Sequence, residues 1–309
     1  MSGNGLLVVG DVVTDVVALH DTPISSGTDT PADIALRPGG SGANTAAWAG
    51  HLGADVRLLA RAGYDSGEWH AGELAKAGVR PVLRIDAEHP TAMVIAMVDL
   101  TGERSMLTNR GAGGRISTAD WDETLLDGVR HLHLSGYTLF TESGLELARR
   151  AMAEATGRGV SISIDPASTG PLRDFGVDRF LAESAPADLI IPNRDEALLL
   201  TGASTPERAA ELLSERYGTA VVKLGALGAL AAGRGRILAV AEGVPGEVID
   251  TTGAGDAFAA GFLTARLGGA DEKAALAAGC RAGAECVGLV GGRPRYGLGS
   301  NRLYPIHTD

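Results

Sequence analysis

Apolar residues along the chain fall into short blocks that alternate with longer amphipathic stretches. Residues 6–10 read Leu-Leu-Val-Val-Gly, an apolar run closed by glycine, which predicts a buried parallel strand ending at the carboxyl edge of a sheet. Ala46, Ala47, Ala49 and Leu52 recur at helical spacing and predict a helix over 42–52 packed closely on that sheet. A strand at 56–60 and a helix at 66–77 follow. Between 79 and 110 the pattern changes to β-rich runs at 82–85, 93–98 and 105–108, with Thr101-Gly102 as a turn. Together with the segment around 16–36 these runs predict a small antiparallel sheet projecting from the core.

After Gly111 the alternation of strand and helix resumes, with strands predicted at 131–134, 160–164, 189–191 and 220–224 and a helix reaching about residue 155. Two Ala-rich helices are predicted at 253–268 and 272–290. This is βαβ winding: an α/β fold with a mostly parallel sheet. The expected organisation is one domain over 1–309, with the small sheet built from about 14–37 and 80–110 acting as a lid.

Composition narrows the function. A 309-residue chain with 45% hydrophobic and 21% charged residues buries a full core without staples. Its net charge of -11 argues against a nucleic-acid partner, because phosphate backbones are bound by clustered Lys and Arg. Cys280 and Cys286 lie six apart on a predicted helix and face different directions, so neither a disulfide nor a metal pair is expected. The start, Met-Ser-Gly-Asn-Gly, lacks the basic stretch of an export signal. No segment approaches the roughly 20 apolar residues that span a bilayer. A cytoplasmic protein with no membrane partner is the expectation.

The chemistry gathers in two glycine-rich segments. In the first, Thr252-Gly253-Ala254-Gly255-Asp256 follows the strand-like Glu247-Val248-Ile249 and opens a helix. Free amides at a helix start carry the positive end of the dipole and make an anion site that needs no lysine. Asp256 beside such a site suits a general base that accepts an alcohol proton during phosphoryl transfer; the plainer alternative is an acidic residue favouring the first helical turn. A P-loop is excluded, since none of Lys76, Lys223 and Lys273 follows a glycine. A dinucleotide fingerprint would need glycine at 45 or 258, where Thr45 and Phe258 stand. The second segment is Gly39-Gly40-Ser41-Gly42-Ala43-Asn44. It is either a turn with a helix cap or a place where a hydroxylated substrate meets the backbone and the Asn44 amide. Asp15 offers two acceptor oxygens to paired hydroxyls, or is a solvated turn residue.

Taken together, the spacing from Gly39 through Asn44 to Gly53 and Gly63, paired with Asp250 to Asp256 late in the chain, resembles the ribokinase, or PfkB, family of carbohydrate kinases over nearly the whole length. The resemblance implies a ribokinase-like three-layer α/β/α core with a β-sheet lid and the use of ATP and Mg2+. It implies Asp256 as catalytic base, Gly253, Ala254 and Gly255 as anion hole, and Asp15, Gly39, Gly40 and Asn44 as sugar contacts. Asn193-Arg194-Asp195-Glu196 is similar to the family's Asn-x-x-Glu motif, which implies Glu196 organising magnesium through water; Asn193 also suits a helix cap. Asn193, Lys223, Gly225 and Gly228 correspond to nucleotide contacts, although the Lys223 stem also suits partial burial with its ammonium at the rim. Asp250, Thr252 and Gly292 resemble a monovalent-cation site, hence a possible K+ requirement.

Two departures bear on the acceptor. Some acid-sugar kinases carry Asp-x-Asn-x-Arg where this chain reads Asp165-Pro166-Ala167-Ser168-Thr169, and ribokinases proper carry a glutamate near Gly136-Tyr137, where none occurs. The expected activity is phosphorylation of a primary hydroxyl of a sugar-like small molecule. A nucleoside acceptor, and a catalytically silent sensor on the same fold, are the alternatives. His131 and His133 share a strand face and are expected to pack, as are Trp48, Trp69 and Trp121. Pairing of two copies through the lid would suit the apolar alternation at 93–98.

Overall fold

A computed structural model describes residues 4–99 and 104–295; the expected turn at Thr101-Gly102 lies outside them. The first strand, β1 (Gly5–Val9), lies between β4 (Val56–Gly63) and β8 (Val129–Ser135), parallel to both. Outward from β4 comes β5 (Val79–Asp86). Outward from β8 come β9 (Ser161–Asp165), β10 (Leu189–Ile190), β11 (Thr219–Lys223), β12 (Ala229–Gly233) and β13 (Arg236–Ala241). Among the described residues this makes a nine-stranded sheet, parallel except where β12 and β13 turn back.

Both faces of β1 are covered, which is why its sequence is apolar throughout rather than alternating. Leu6 and Val8 pack with Ala46, Trp48, Ala257 and Ala260. Leu7 and Val9 pack on the opposite side with Leu132, Leu145 and Ala148. The first layer holds α1 (Ser41–His51), α8 (Ala254–Leu267) and α9 (Glu272–Val287); the second contains α3 (Glu142–Gly157). The expected three-layer α/β/α core is therefore present.

A second sheet has four strands in the order β3 (Asp33–Gly39), β2 (Val13–Leu19), β6 (Ala92–Val98) and β7 (Arg104–Asn109). It grows from the carboxyl edge of the core: the chain enters β2 just past β1, and β3 returns at Gly39, immediately before α1. Two expectations are corrected here. The run at 82–85 belongs to β5, parallel to β4 in the core sheet, and not to the small sheet. The small sheet is itself mixed rather than antiparallel: β3–β2 and β6–β7 are antiparallel pairs, but the central pair β2–β6 is parallel. β-Propensity names a strand without naming its partner. The strand-like 247–249 is likewise not a strand; it is tied down through the Ile249 amide to Val287 O at 2.8 Å. Among the described residues no helix is long and apolar enough to cross a membrane.

Candidate active site

The site lies at the carboxyl edge of the core sheet, where two helix starts face each other. At the end of β1, Gly10 and Gly42 touch so closely that a Cβ on Gly10 would come 2.7 Å from the Gly42 Cα. The start of α1 is thereby pressed onto the strand end. Its amides are taken by Asp11, whose Oδ2 accepts from Ser41 N and whose Oδ1 accepts from Gly42 N, both at 3.1 Å. A carboxylate at that position also answers the positive end of the helix dipole.

Helix α8 opens at Gly253, whose φ of 75° is a left-handed conformation natural to glycine. A Cβ there would also lie 2.5 Å from the Gly292 Cα. One turn on, Asp256 reaches across to α1: its Oδ1 accepts from Ser41 Oγ at 2.8 Å and its Oδ2 from Asn44 Nδ2 at 3.0 Å. Burial pushes the Asp256 carboxyl up to about 7, helped by nearby Asp165 and opposed by the Asn44 and Ser41 hydrogen bonds and by Lys223. A carboxyl poised there takes a proton near neutrality, as a general base must.

Lys223 ends β11 beneath the same turn, and a Cβ on Gly255 would stand 3.3 Å from its ammonium. Its Nζ donates to Asp165 Oδ2 at 2.5 Å. Burial opposes the ammonium charge, but Asp165 and Glu196 outweigh it and raise the Lys223 pKa. Glu196 is buried in the capping box of α6 (Arg194–Thr201), accepting Asn193 N at 2.8 Å and Asn193 Nδ2 at 2.6 Å. Burial pushes its carboxyl up to about 7 against the pull of Lys223. The plainer expectation for Asn193, a helix cap, is thus met. Gly225 and Gly228 form the turn that follows Lys223.

Asp15 lies on β2 rather than in a turn, facing Gly39 so closely that a Cβ there would meet Asp15 Oδ2. Burial, with Asp11 adding to it, pushes Asp15 up to about 7, while Arg293 pulls the other way. Arg293 is itself buried, and its Nε donates to Asn44 Oδ1 at 2.9 Å and its Nη2 to Gly39 O at 3.1 Å. Gly292 backs onto the same amide, since a Cβ there would come within 2.4 Å of Asn44 Nδ2. Asp250 accepts from Thr252 N and Gly291 N, both at 2.9 Å, and the Gly292 carbonyl accepts the Trp48 indole at 3.0 Å.

The residues expected from sequence are therefore brought together: Asp15, Gly39, Gly40 and Asn44 from one end, Gly253 to Asp256 and Gly292 from the other, with Lys223 and Glu196 below. Sequence reasoning missed Asp11, Asp165 and Arg293, and passed over Ser41 within a motif it had quoted. The position lacking the ribokinase glutamate holds Tyr137, whose hydroxyl is pushed up to about 12 by burial, then by Asp11 and Asp256 among its neighbours. His131 and His133 form a buried hydrogen-bond chain with Ser161 and Ser163, at 2.7 to 2.8 Å, rather than a metal pair. Both cysteines are free and buried.

Helix-start amides beside a desolvated carboxylate, at the carboxyl edge of a mostly parallel sheet, suit a phosphotransferase with an alcohol acceptor. The comparisons agree. The model of the pfkB family carbohydrate kinases matches residues 4–295. The chain is 32% identical over 261 residues to an ATP-dependent ribose-1-phosphate kinase of Halopiger xanaduensis, covering 82% of each. Adenosine kinase from Sinorhizobium meliloti superposes with a TM-score of 0.85 at 26% identity, over 95% of this chain and 96% of that one. A ribokinase II from E. coli, solved with ATP and Mg2+, does so with a TM-score of 0.84 at 25% identity, over 93% of this chain and 94% of that one. The chain belongs to the pfkB family of carbohydrate kinases and is a sugar or nucleoside kinase.

Proposed function

We propose that the protein transfers the γ-phosphoryl group of ATP to a primary hydroxyl of a sugar or sugar-like molecule. The observation that carries this reading is the bridging of α1 and α8 by Ser41, Asn44 and Asp256. A primary alcohol entering over Gly40 displaces Ser41 or Asn44 from the Asp256 carboxylate and presents its proton there. Asp256 accepts that proton while the 253 to 256 amides hold the transferring group. Asp15, with Gly39 behind it, orients further hydroxyls.

The donor set fits ATP with magnesium. First-turn amides and the Lys223 ammonium suit phosphate oxygens, Gly225 and Gly228 leave backbone open beside them, and Asn193 and Glu196 lie close to Lys223. Magnesium, when bound, would neutralise phosphate charge, and Glu196 beside Asn193 would help hold it. The E. coli relative solved with ATP and Mg2+ supports both groups. Asp250, Thr252 and Gly292 present hard oxygens behind α8, and we assign them to a monovalent cation; dependence of the rate on K+ tests this.

An ADP-release assay over sugars, sugar phosphates, sugar acids and nucleosides tests the activity, and no ADP above the Asp256→Asn background on any acceptor sinks it. The likeness to adenosine kinase favours a second reading, a nucleoside acceptor, which the same panel separates. Ile34, Leu36, Met106 and Leu107 are exposed on the small sheet and support pairing of two copies through it, measurable by sedimentation.

A further inference from the structure

The surface carries an open cavity that the reading above leaves unused. Its volume is about 530 Å³, and it is lined by Arg110, Gly111, Gly114, Arg115, Thr141 and Ser143. It holds two guanidinium groups and no carboxylate, in a chain whose net charge is -11. The one acidic side chain between its lining residues, Glu142, is held by Arg179 at 2.8 Å. Arg115 also borders an adjoining cavity lined by Asp86 and Glu88. The Asp86 carboxylate is already taken by Arg61 at 3.0 Å and by the amides of Glu88 and His89.

The donors left over face an open space. Arg110 uses Nη1 on Phe140 O at 3.2 Å, which leaves most of its five N–H groups unspent. Its stem lies against Gly114, where a Cβ would come 3.0 Å from the Arg110 Cβ. Thr141 Oγ1 accepts the Gly144 amide at 3.2 Å, so its hydroxyl hydrogen is still to be donated. Guanidinium forks flanked by hydroxyls are matched to phosphate and carboxylate oxygens.

The location ties the cavity to the acceptor. The short 3-10 turn Gly136–Phe140 runs from Ser135, which contacts Asp11 at 3.4 Å, past Tyr137 to the carbonyl that holds Arg110. At a rise of about 2 Å per residue, Phe140 lies roughly 6 Å beyond Tyr137, a span comparable to one sugar ring.

On the reading of the cleft as an acceptor site, we propose that the Arg110–Arg115 cavity binds a phosphate or carboxylate carried by the acceptor, at the end remote from the hydroxyl that is phosphorylated. The acceptor is then an anionic sugar derivative, a sugar phosphate or a sugar acid, and not a neutral sugar.

The test is calorimetric binding of pentose and hexose monophosphates, sugar acids, their neutral parents and inorganic phosphate. The proteins are wild type, Arg115→Gln, Arg110→Gln/Arg115→Gln and Asp256→Asn. At least one anionic sugar should bind wild type and Asp256→Asn tenfold or more tighter than its neutral parent, and the double variant should lose that preference. Inorganic phosphate should compete with it. In turnover, the double variant should raise KM for the anionic acceptor tenfold or more with kcat little changed. Equal binding of charged and neutral sugars, no binding of either, or a preference that survives in the double variant overturns the proposal. So does phosphate that binds through these arginines without competing, which would make the cavity a separate anion site. If binding behaves as expected and no ADP is released, the proposal stands and the kinase reading fails; ADP release from neutral sugars without an anion preference is the reverse.

Discussion

Arg293 donates through Nε to Asn44 Oδ1 at 2.9 Å, and the other end of that amide donates through Nδ2 to Asp256 Oδ2 at 3.0 Å. The arginine thus fixes which way the asparagine amide points, and so keeps a donor rather than an acceptor on the proposed base. Arg293→Met should lower kcat/KM about tenfold or more, the worth of a hydrogen bond to a charged group. It also removes the cation that holds Asp15 down, so the Asp15 carboxyl rises further above its value of about 7 and acceptor binding weakens near neutrality. Arg293→Lys should restore the Asp15 effect but not the amide orientation. Acceptor KM against pH for the three proteins is the measurement.

Asp256→Asn should cut turnover by about 10² to 10⁴ while leaving the thermal melting midpoint unchanged or raised. Single-turnover ADP formation alongside a melting curve separates lost chemistry from lost fold.

The acid limb of kcat/KM should lie near pH 7, because a base with that pKa is inactive once protonated. Asp165 raises the Asp256 pKa and Lys223 lowers it. Asp165→Asn should therefore move the limb to lower pH and Lys223→Met should move it to higher pH. A pair that only supported the fold would shift neither.

Asp15 and Asp256 are both raised above the ordinary value of 3.8 in the folded protein, to about 7. The folded state then binds more protons than the unfolded state between about pH 4 and 7. The stability these groups contribute is fully present below pH 4 and is lost as pH rises through 7. Other groups titrate oppositely, so the comparison is with Asp15→Asn/Asp256→Asn: the variant should lose less stability than wild type between pH 5 and 8, read by denaturant midpoints.

Gly292→Ala places a methyl where only 2.4 Å separates it from Asn44 Nδ2. The amide must move off Asp256 or the segment must retreat from Gly253. Acceptor kcat/KM should fall at least tenfold, with nucleotide binding largely kept, as titration with ADP would reveal.

Much of this site was legible in the chain because glycine and apolar runs have few physical uses. The Leu6 to Val9 run names a strand covered on both faces, and Gly253 with Asp256 names a glycine turn that opens a helix. What stayed hidden depends on partners remote in sequence. Asp11, just past β1, and Asp165, the last residue of β9, are single carboxylates with nothing local to separate them from solvated ones. Arg293 follows the last described helix without any pattern, and only the return of that segment against Asn44 gives it a role. The 82–85 run was read into the wrong sheet because strand propensity does not encode which edge a strand joins.

The Asn44–Arg293 contact joins residues 249 positions apart, and Ser41–Asp256 joins residues 215 apart. Contacts of that separation form late, since their loop-closure entropy is repaid only after the intervening layers have condensed. During refolding, local helix signal should therefore recover before acceptor binding does. A chain whose helices have formed but whose 41–44 and 256 segments have not met has no acceptor site to offer, so the return of acceptor binding times the closing of the fold.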